Sequence, residues 1–148
     1  MEINGLPLHP LVVHAAVIFG PLSALTALAY VVLPRHRDKL RWPTLGIVLL
    51  ATVAIWAAYL TGEDFLDSDR FSGMQGEARD LIERHEDLAG TLRLVTSGFA
   101  IVTIAATALH HRAGALRIVL GVLVAVAAVA TLVWTVMTGD AGAKAVWG

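Results

Sequence analysis

Apolar residues dominate four long stretches of the chain, and short polar segments separate them. The apolar stretches cover 11–33, 43–60, 88–109 and 118–137. Each has close to the about 17–25 residues that a helix needs to cross a bilayer. A backbone in lipid must satisfy its own hydrogen bonds, so stretches of this length are expected to be helical. The pattern predicts an all-α, four-helix transmembrane bundle in one domain, with helices at about 10–33, 43–62, 80–110 and 117–138.

The composition agrees with an integral membrane protein. The 148 residues are 57% hydrophobic and 16% charged, whereas soluble domains are about 45–50% apolar and about 25% charged. A net charge of −1 provides no basic field for phosphate, so we expect no nucleic-acid partner. The absence of cysteine excludes disulfides, thiolate metal sites and cysteine nucleophiles. No nucleophile sequence or phosphate loop stands out either, and an enzyme is the less favoured interpretation.

The charges between the apolar stretches predict the orientation. The two short connections, 34–41 and 110–117, hold six of the eleven basic residues, whereas the longer connection, 63–87, holds nine acids and three arginines. The positive-inside rule places both short connections in the cytoplasm. Both termini and the acidic connection then lie on the extracytoplasmic side of a bacterial plasma membrane. The chain start has no basic region or cleavage site of a signal peptide, so the first stretch is interpreted as a retained helix.

Ionisable side chains collect at the predicted outer ends of the helices. His14 lies about one turn inside the first helix, and Arg93 lies one to two turns inside the third. Such residues are costly in a membrane and usually face the bundle interior, so both are functional candidates. Arg93 is expected to need a carboxylate partner, either Glu63, Asp64 or Asp140. The candidate site residues are His9, His14, Glu63, His85, Arg93 and Asp140.

Three interpretations of this cluster stay open. His9, His14, His85, Glu63 and Asp140 could bind a divalent metal such as zinc or copper. Alternatively, His14 and His85 could hold the iron of haem b, with Arg93 meeting a propionate. The third interpretation is a structural polar cap. The other three histidines, His36, His110 and His111, fall in the basic connections and are interpreted as solvated loop residues.

The chain also contains signs of an internal repeat. A shift of 76 residues places His9 on His85 and Arg41 on Arg117. The second and fourth helices both end in Thr-Gly followed by an acid, at Thr61-Gly62 and Thr138-Gly139. A two-helix unit repeated once keeps its orientation, so the repeat axis would be parallel to the membrane normal.

The opening GLPLHPLVVHAAVIFGPLSAL resembles the start of a bacterial membrane family known as domain-of-unknown-function family 2231. The similarity continues in LTGEDFLD, in His85-Glu86 and in TGDAGAKAVWG. The chain departs from the family at Ala15-Ala16, where the family often has Phe-Pro, and at Asp140, near which the family often has His. The resemblance implies four transmembrane helices. Relatives that are fused to iron–sulfur or cytochrome modules imply a link to electron transfer.

These observations lead to two main hypotheses of function. The first is a small redox-associated membrane protein whose outer cluster binds haem or a metal, with a respiratory or redox membrane partner. The second is a non-catalytic accessory or scaffold subunit of a membrane complex, in which the cluster only sets helix register. Either protein would contact the lipid bilayer and could form a homo-oligomer. A transporter is less favoured, since the apolar stretches contain no acids.

Overall fold

The computed structural model describes residues 2–3, 6–66 and 75–147, and four long helices account for nearly all of them. A 3-10 turn, Pro34–His36, links the first two helices, and two-residue strands β1 (Glu2–Ile3) and β2 (Leu6–Pro7) form an antiparallel pair. All four helices are long and apolar enough to cross a membrane, which confirms the predicted fold class. The helices are α1 (Leu8–Val32), α2 (Arg37–Leu66), α3 (Glu77–Ala108) and α4 (Ala115–Trp147).

The helices form a closed ring in which each packs against two neighbours. Helix α1 contacts α2 and α4, and α3 contacts α4 and α2, so α1 and α3 lie diagonally opposite each other. Sequential helices run antiparallel. One end of the bundle, here the terminal end, therefore carries the starts of α1 and α3 and the ends of α2 and α4. The other end, here the loop end, carries the two short connections, residues 33–36 and 109–114.

Small side chains fill the centre of the bundle. Alanines from α1, α3 and α4 surround Tyr30, Val48, Phe99 and Val124, all of which are almost completely buried. Small residues let helix backbones approach closely, which favours association between apolar helices in lipid. Large apolar side chains instead cover much of the outer surface, as expected of helices that face acyl chains.

The buried positions repeat along the chain. Every buried residue of α1 has a buried counterpart in α3 at an offset of 76, and Val32 and Ala108 end the two helices at the same offset. Each of the six buried residues of α4 has a buried counterpart in α2 at an offset of 80. The structure therefore consists of two equivalent helical hairpins, and in the second hairpin the equivalent buried positions of its two helices are four residues further apart along the chain. In α1 and α3 the pairs are 16/92, 20/96, 23/99, 24/100, 27/103 and 30/106.

The offset of 80 corrects part of the predicted repeat. Arg41 corresponds to Gly121 rather than to Arg117, and Gly62 corresponds to Gly142 rather than to Gly139. The reason is that the chain has four extra residues between Tyr30's counterpart Ala106 and Thr44's counterpart Val124, which moves all later equivalences by about one helical turn.

Helices α2 and α4 extend well beyond the predicted ends, and α3 begins three residues before its predicted start. Helix α2 begins at Arg37 and ends at Leu66, helix α3 begins at Glu77, and α4 continues to Trp147, so Gly62 and Gly139 lie inside helices. The extension of α4 is stabilised by burial of Ala141 and by an ion pair one turn apart between Asp140 and Lys144, at 2.7 Å. Such packing lets a helix continue past its apolar stretch, where hydrophobicity alone predicts an end.

Candidate functional site

His9 and His85 meet at the terminal end of the bundle. Their ring centroids are 6.4 Å apart, and the ring planes are inclined by 69°. The two residues occupy equivalent positions of the two hairpins, near the starts of α1 and α3. The pair therefore lies where the two halves of the repeat face each other.

Each ring is oriented by a backbone carbonyl of the neighbouring helix. Nδ1 of His9 lies 2.9 Å from the Ala58 oxygen, and Nδ1 of His85 lies 3.0 Å from the Thr138 oxygen. A carbonyl only accepts hydrogen bonds, so both Nδ1 atoms carry the proton and donate it. In the neutral ring, Nε2 then holds the lone pair. Metal-binding histidines almost always have this arrangement.

Two equivalent glycines make room for the rings. A Cβ atom at Gly62 would lie 3.1 Å from Cε1 of His9, and one at Gly142 would lie 2.9 Å from Cε1 of His85. Each glycine lies one helical turn after the residue that accepts the hydrogen bond, Ala58 or Thr138. The same arrangement therefore occurs twice: a histidine ring packs against a glycine, and the carbonyl one helical turn before that glycine accepts a hydrogen bond from the ring.

The Gly142→Ala variant is expected to unfold with about 1–2 kcal/mol less free energy, because the added methyl group displaces the His85 ring. Thermal unfolding in detergent, followed by circular dichroism, measures the effect. Gly139→Ala is the matched control, since in the described part of the chain no atom of another helix lies within 4 Å of a Cβ atom at that position. There the better helix propensity of alanine should stabilise α4 by up to about 1 kcal/mol. Equal effects of the two substitutions would contradict the close fit at Gly142.

Within the described residues, Arg93 contacts aromatic rings of α2 rather than Glu63 or Asp140. Its guanidinium carbon lies 3.9 Å from the centroid of Tyr59 and 5.2 Å from that of Trp56. Within the described part of the chain, no ion pair joins Arg93 to Glu63 or Asp140. A cation over the negative face of an aromatic ring is attracted by it, and this contact takes the place of the predicted salt bridge.

The predicted acidic ligands have other partners. Glu63 accepts a hydrogen bond of 2.6 Å from the Tyr59 hydroxyl, and Asp140 pairs with Lys144. In residues 2–3, 6–66 and 75–147, no group of three or more histidines and acids is arranged to hold a metal ion. The two histidines, rather than a full five-residue cluster, are therefore what the structure brings together.

His14 lies on the exposed side of α1. Its Nδ1 is 2.6 Å from the Pro10 oxygen of its own helix. The buried face of α1 passes through Ala16, and His9, seven residues earlier, lies on that face. His14 does not, so the structure pairs His85 with His9 rather than with His14. The seven-residue spacing from His9 to Ala16 is the sequence signal for this choice.

The loop end contains a second histidine cluster, which corrects the interpretation of His110. His110 is only 6% exposed. Its Nε2 lies 2.6 Å from Oδ1 of Asp38, and its Nδ1 lies 2.9 Å from the hydroxyl of Tyr30. His36 and His111 are exposed, in agreement with their interpretation as solvated residues. Asp38 is the single acid in the basic stretch 34–41. An acid at this position is the feature of the sequence that indicates a buried cationic or hydrogen-bonding partner.

Comparison of the chain with protein-family models, with curated proteins and with solved structures finds no match. The resemblance to family 2231 therefore stays a prediction, and the geometry of the site carries the functional argument.

Proposed function

We propose that the protein holds a single metal ion at the terminal end, between Nε2 of His9 and Nε2 of His85. The observation that carries this proposal is the matched pair of Nδ1 hydrogen bonds to Ala58 and Thr138. They leave two neighbouring imidazoles with Nε2 as the available ligand atom. The ion serves a redox-associated role at a bacterial plasma membrane rather than substrate turnover.

The separation of the rings suits a shared ion. With metal–nitrogen bonds of about 2.0–2.1 Å, two imidazoles on one ion have ring centroids about 5–6 Å apart. The centroids of His9 and His85 are 6.4 Å apart. The observed separation of the two rings is therefore close to the one that a shared ion requires.

The ligand type restricts the choice of ion. Neutral imidazole suits zinc, copper, iron and nickel, and it does not suit magnesium or calcium. With two ligands from this chain, the ion keeps coordination positions for water or for a group of another molecule, and open positions are typical of reactive sites. A redox membrane protein, or a second copy of this chain, is the partner that we propose to supply the further ligand.

We favour a single metal ion over haem as the ligand of this site. A cofactor of the size of haem usually needs a site of about 300–1,000 Å³. Both rings also pack tightly against glycines of the adjacent helices. In addition, Arg93, the residue expected to meet a propionate, lies over the ring of Tyr59.

The second candidate is a non-catalytic accessory subunit of a membrane complex. The hydrogen bond of His9 joins α1 to α2, and that of His85 joins α3 to α4. These bonds favour this alternative, because they would fix the register of each hairpin with no ion present.

Elemental analysis and an optical spectrum of the detergent-purified full-length protein distinguish these candidates. After addition of Cu(II) or Zn(II) and removal of the excess, we expect one ion per chain. A protein that stays metal-free under these conditions would favour the accessory subunit. A Soret band after incubation with haem, in a protein that takes up neither copper nor zinc, would overturn the choice of a single ion.

A further inference from the structure

We propose that an anionic phospholipid binds in a groove between α2 and α3 at the loop end, here the α2–α3 groove. The groove has a volume of about 130 Å³ and an almost entirely apolar lining. An acyl chain would lie along it, and the headgroup phosphate would meet the guanidinium of Arg41. This site lies at the opposite end of the bundle from the histidine pair and does not depend on metal binding. The lining residues are Arg41, Trp42, Leu45, Ile104, Thr107 and Ala108.

The groove lies where a span meets the headgroup region. Leu45 and Ile104 belong to the apolar stretches, whereas Arg41 and Trp42 stand at the boundary of α2's apolar part. Basic and indole side chains are typical of this interface. Ile104 is 45% exposed and Trp42 is 63% exposed, so the groove opens towards lipid. Acyl chains are the molecules that a bilayer places against such a surface.

Arg41 is held in position for an anion. Its Nε donates a hydrogen bond of 3.0 Å to the Thr107 oxygen, and its Cζ lies 4.6 Å from the centroid of Trp42. Nη1 lies 3.5 Å from Nε2 of His111. A guanidinium has five N–H donors, so several remain for phosphate oxygens. No acid of the described ranges lies within ion-pair distance of Arg41, so its charge is available to a headgroup.

The surrounding charge favours an anionic over a zwitterionic lipid. Basic side chains near a membrane surface attract anionic lipids by about 1 kcal/mol each. The one acid of the basic stretch 34–41, Asp38, is hydrogen-bonded to His110. The other basic residues at this end are Arg35, Arg37, Lys39, Arg112 and Arg117.

The internal repeat provides a comparison site within the same molecule. None of the six equivalent positions between α4 and α1 holds a basic or aromatic residue, and a Cβ atom at Gly121 would lie 3.5 Å from Cγ1 of Val31. The hairpin fold therefore does not require Arg and Trp at positions 41 and 42. Arg41 and Trp42 occur on only one of the two equivalent surfaces, which indicates a role beyond packing. The equivalent residues are Gly121, Val122, Ala125, Leu28, Val31 and Val32.

Native mass spectrometry of the full-length protein, with equal amounts of phosphatidylglycerol and phosphatidylcholine, tests the proposal. We expect one retained phosphatidylglycerol per chain, with a preference of about fivefold over phosphatidylcholine. Arg41→Gln should remove this preference. Ala108→Phe should fill the groove and reduce the retention of both lipids, although it leaves the charge unchanged.

Arg117→Gln is the matched control, because it removes the same charge from an exposed position of the loop end outside the groove. It should keep the preference. Equal retention of the two lipids by the unmodified protein would overturn the proposal, as would an equal loss in Arg41→Gln and Arg117→Gln. If Ala108→Phe retained both lipids as well as the unmodified protein does, the acyl chain would not lie in the groove. Attraction of the headgroup alone would then account for the binding. Circular dichroism of each variant verifies that the helices are intact.

Discussion

The His85→Ala variant is expected to bind Cu(II) or Zn(II) at least about 100-fold more weakly than the unmodified protein, and His9→Ala should lose as much. Each substitution removes one of the two ligands that we propose. Even the loss of a residue that only hydrogen-bonds to a metal ligand costs about 10–100-fold in metal affinity. The two effects should be alike, because each histidine has the same glycine and carbonyl neighbours in its own hairpin. Competition titration with a chelating indicator measures the affinities.

His14→Ala is the matched control for this experiment. His14 is on the same helix as His9 and close to it in sequence, but it is exposed and contacts Pro10 of its own helix. We expect the affinity of this variant to stay within about twofold of the original, since surface substitutions rarely act at a distance. A large loss in His14→Ala with none in His9→Ala would favour His14 as the ligand and contradict the proposed site.

The largest expected effect on stability is that of His110→Ala. This variant should lose about 2–3 kcal/mol of unfolding free energy, because it leaves a cavity in a buried position and breaks the hydrogen bonds to Tyr30 and Asp38. Asp38 is 92% exposed and can be solvated after the change, so most of the cost arises on the buried side. Unfolding by a denaturing detergent in mixed micelles, followed by circular dichroism, gives the value.

Two further variants separate the contributions at the loop end. Tyr30→Phe removes only the hydroxyl, and side-chain hydrogen bonds in membrane proteins average about 0.6 kcal/mol, so we expect a loss of about 1 kcal/mol or less. His111→Ala removes the adjacent exposed imidazole and should change stability by less than about 0.5 kcal/mol. If His111→Ala were as destabilising as His110→Ala, the buried hydrogen-bond chain would not be the cause.

The four helices were predictable because hydrophobicity is a local property of the chain. A stretch such as 118–137 has to be helical in lipid, whatever lies next to it. The helix ends were harder to predict, since the extension of α4 past Gly139 depends on its packing against the start of α3. Hydrophobicity falls at Asp140, but burial of Ala141 and the ion pair with Lys144 continue the helix.

The candidate site was predictable in part. His9 and His85 follow from the shift of 76 residues and from their place at the predicted outer ends. The pairing of Arg93 was not predictable, because Trp56 and Tyr59 become neighbours only through the packing of α2 against α3. The burial of His110 was not predictable for a similar reason: its position in a polar connection indicates solvent, and only the tertiary contacts with Tyr30 and Asp38 bury it.

By itself, the sequence determined that the chain forms four membrane-spanning helices, that histidines gather at their ends and that a two-helix unit is repeated. These properties depend on composition and spacing along the chain. Tertiary structure alone decided which histidine faces which and in which tautomer, because the carbonyls of Ala58 and Thr138 belong to other helices. It also decided the register of the second hairpin, since the buried positions of α4 are shifted by four residues, about one helical turn, relative to a simple repeat.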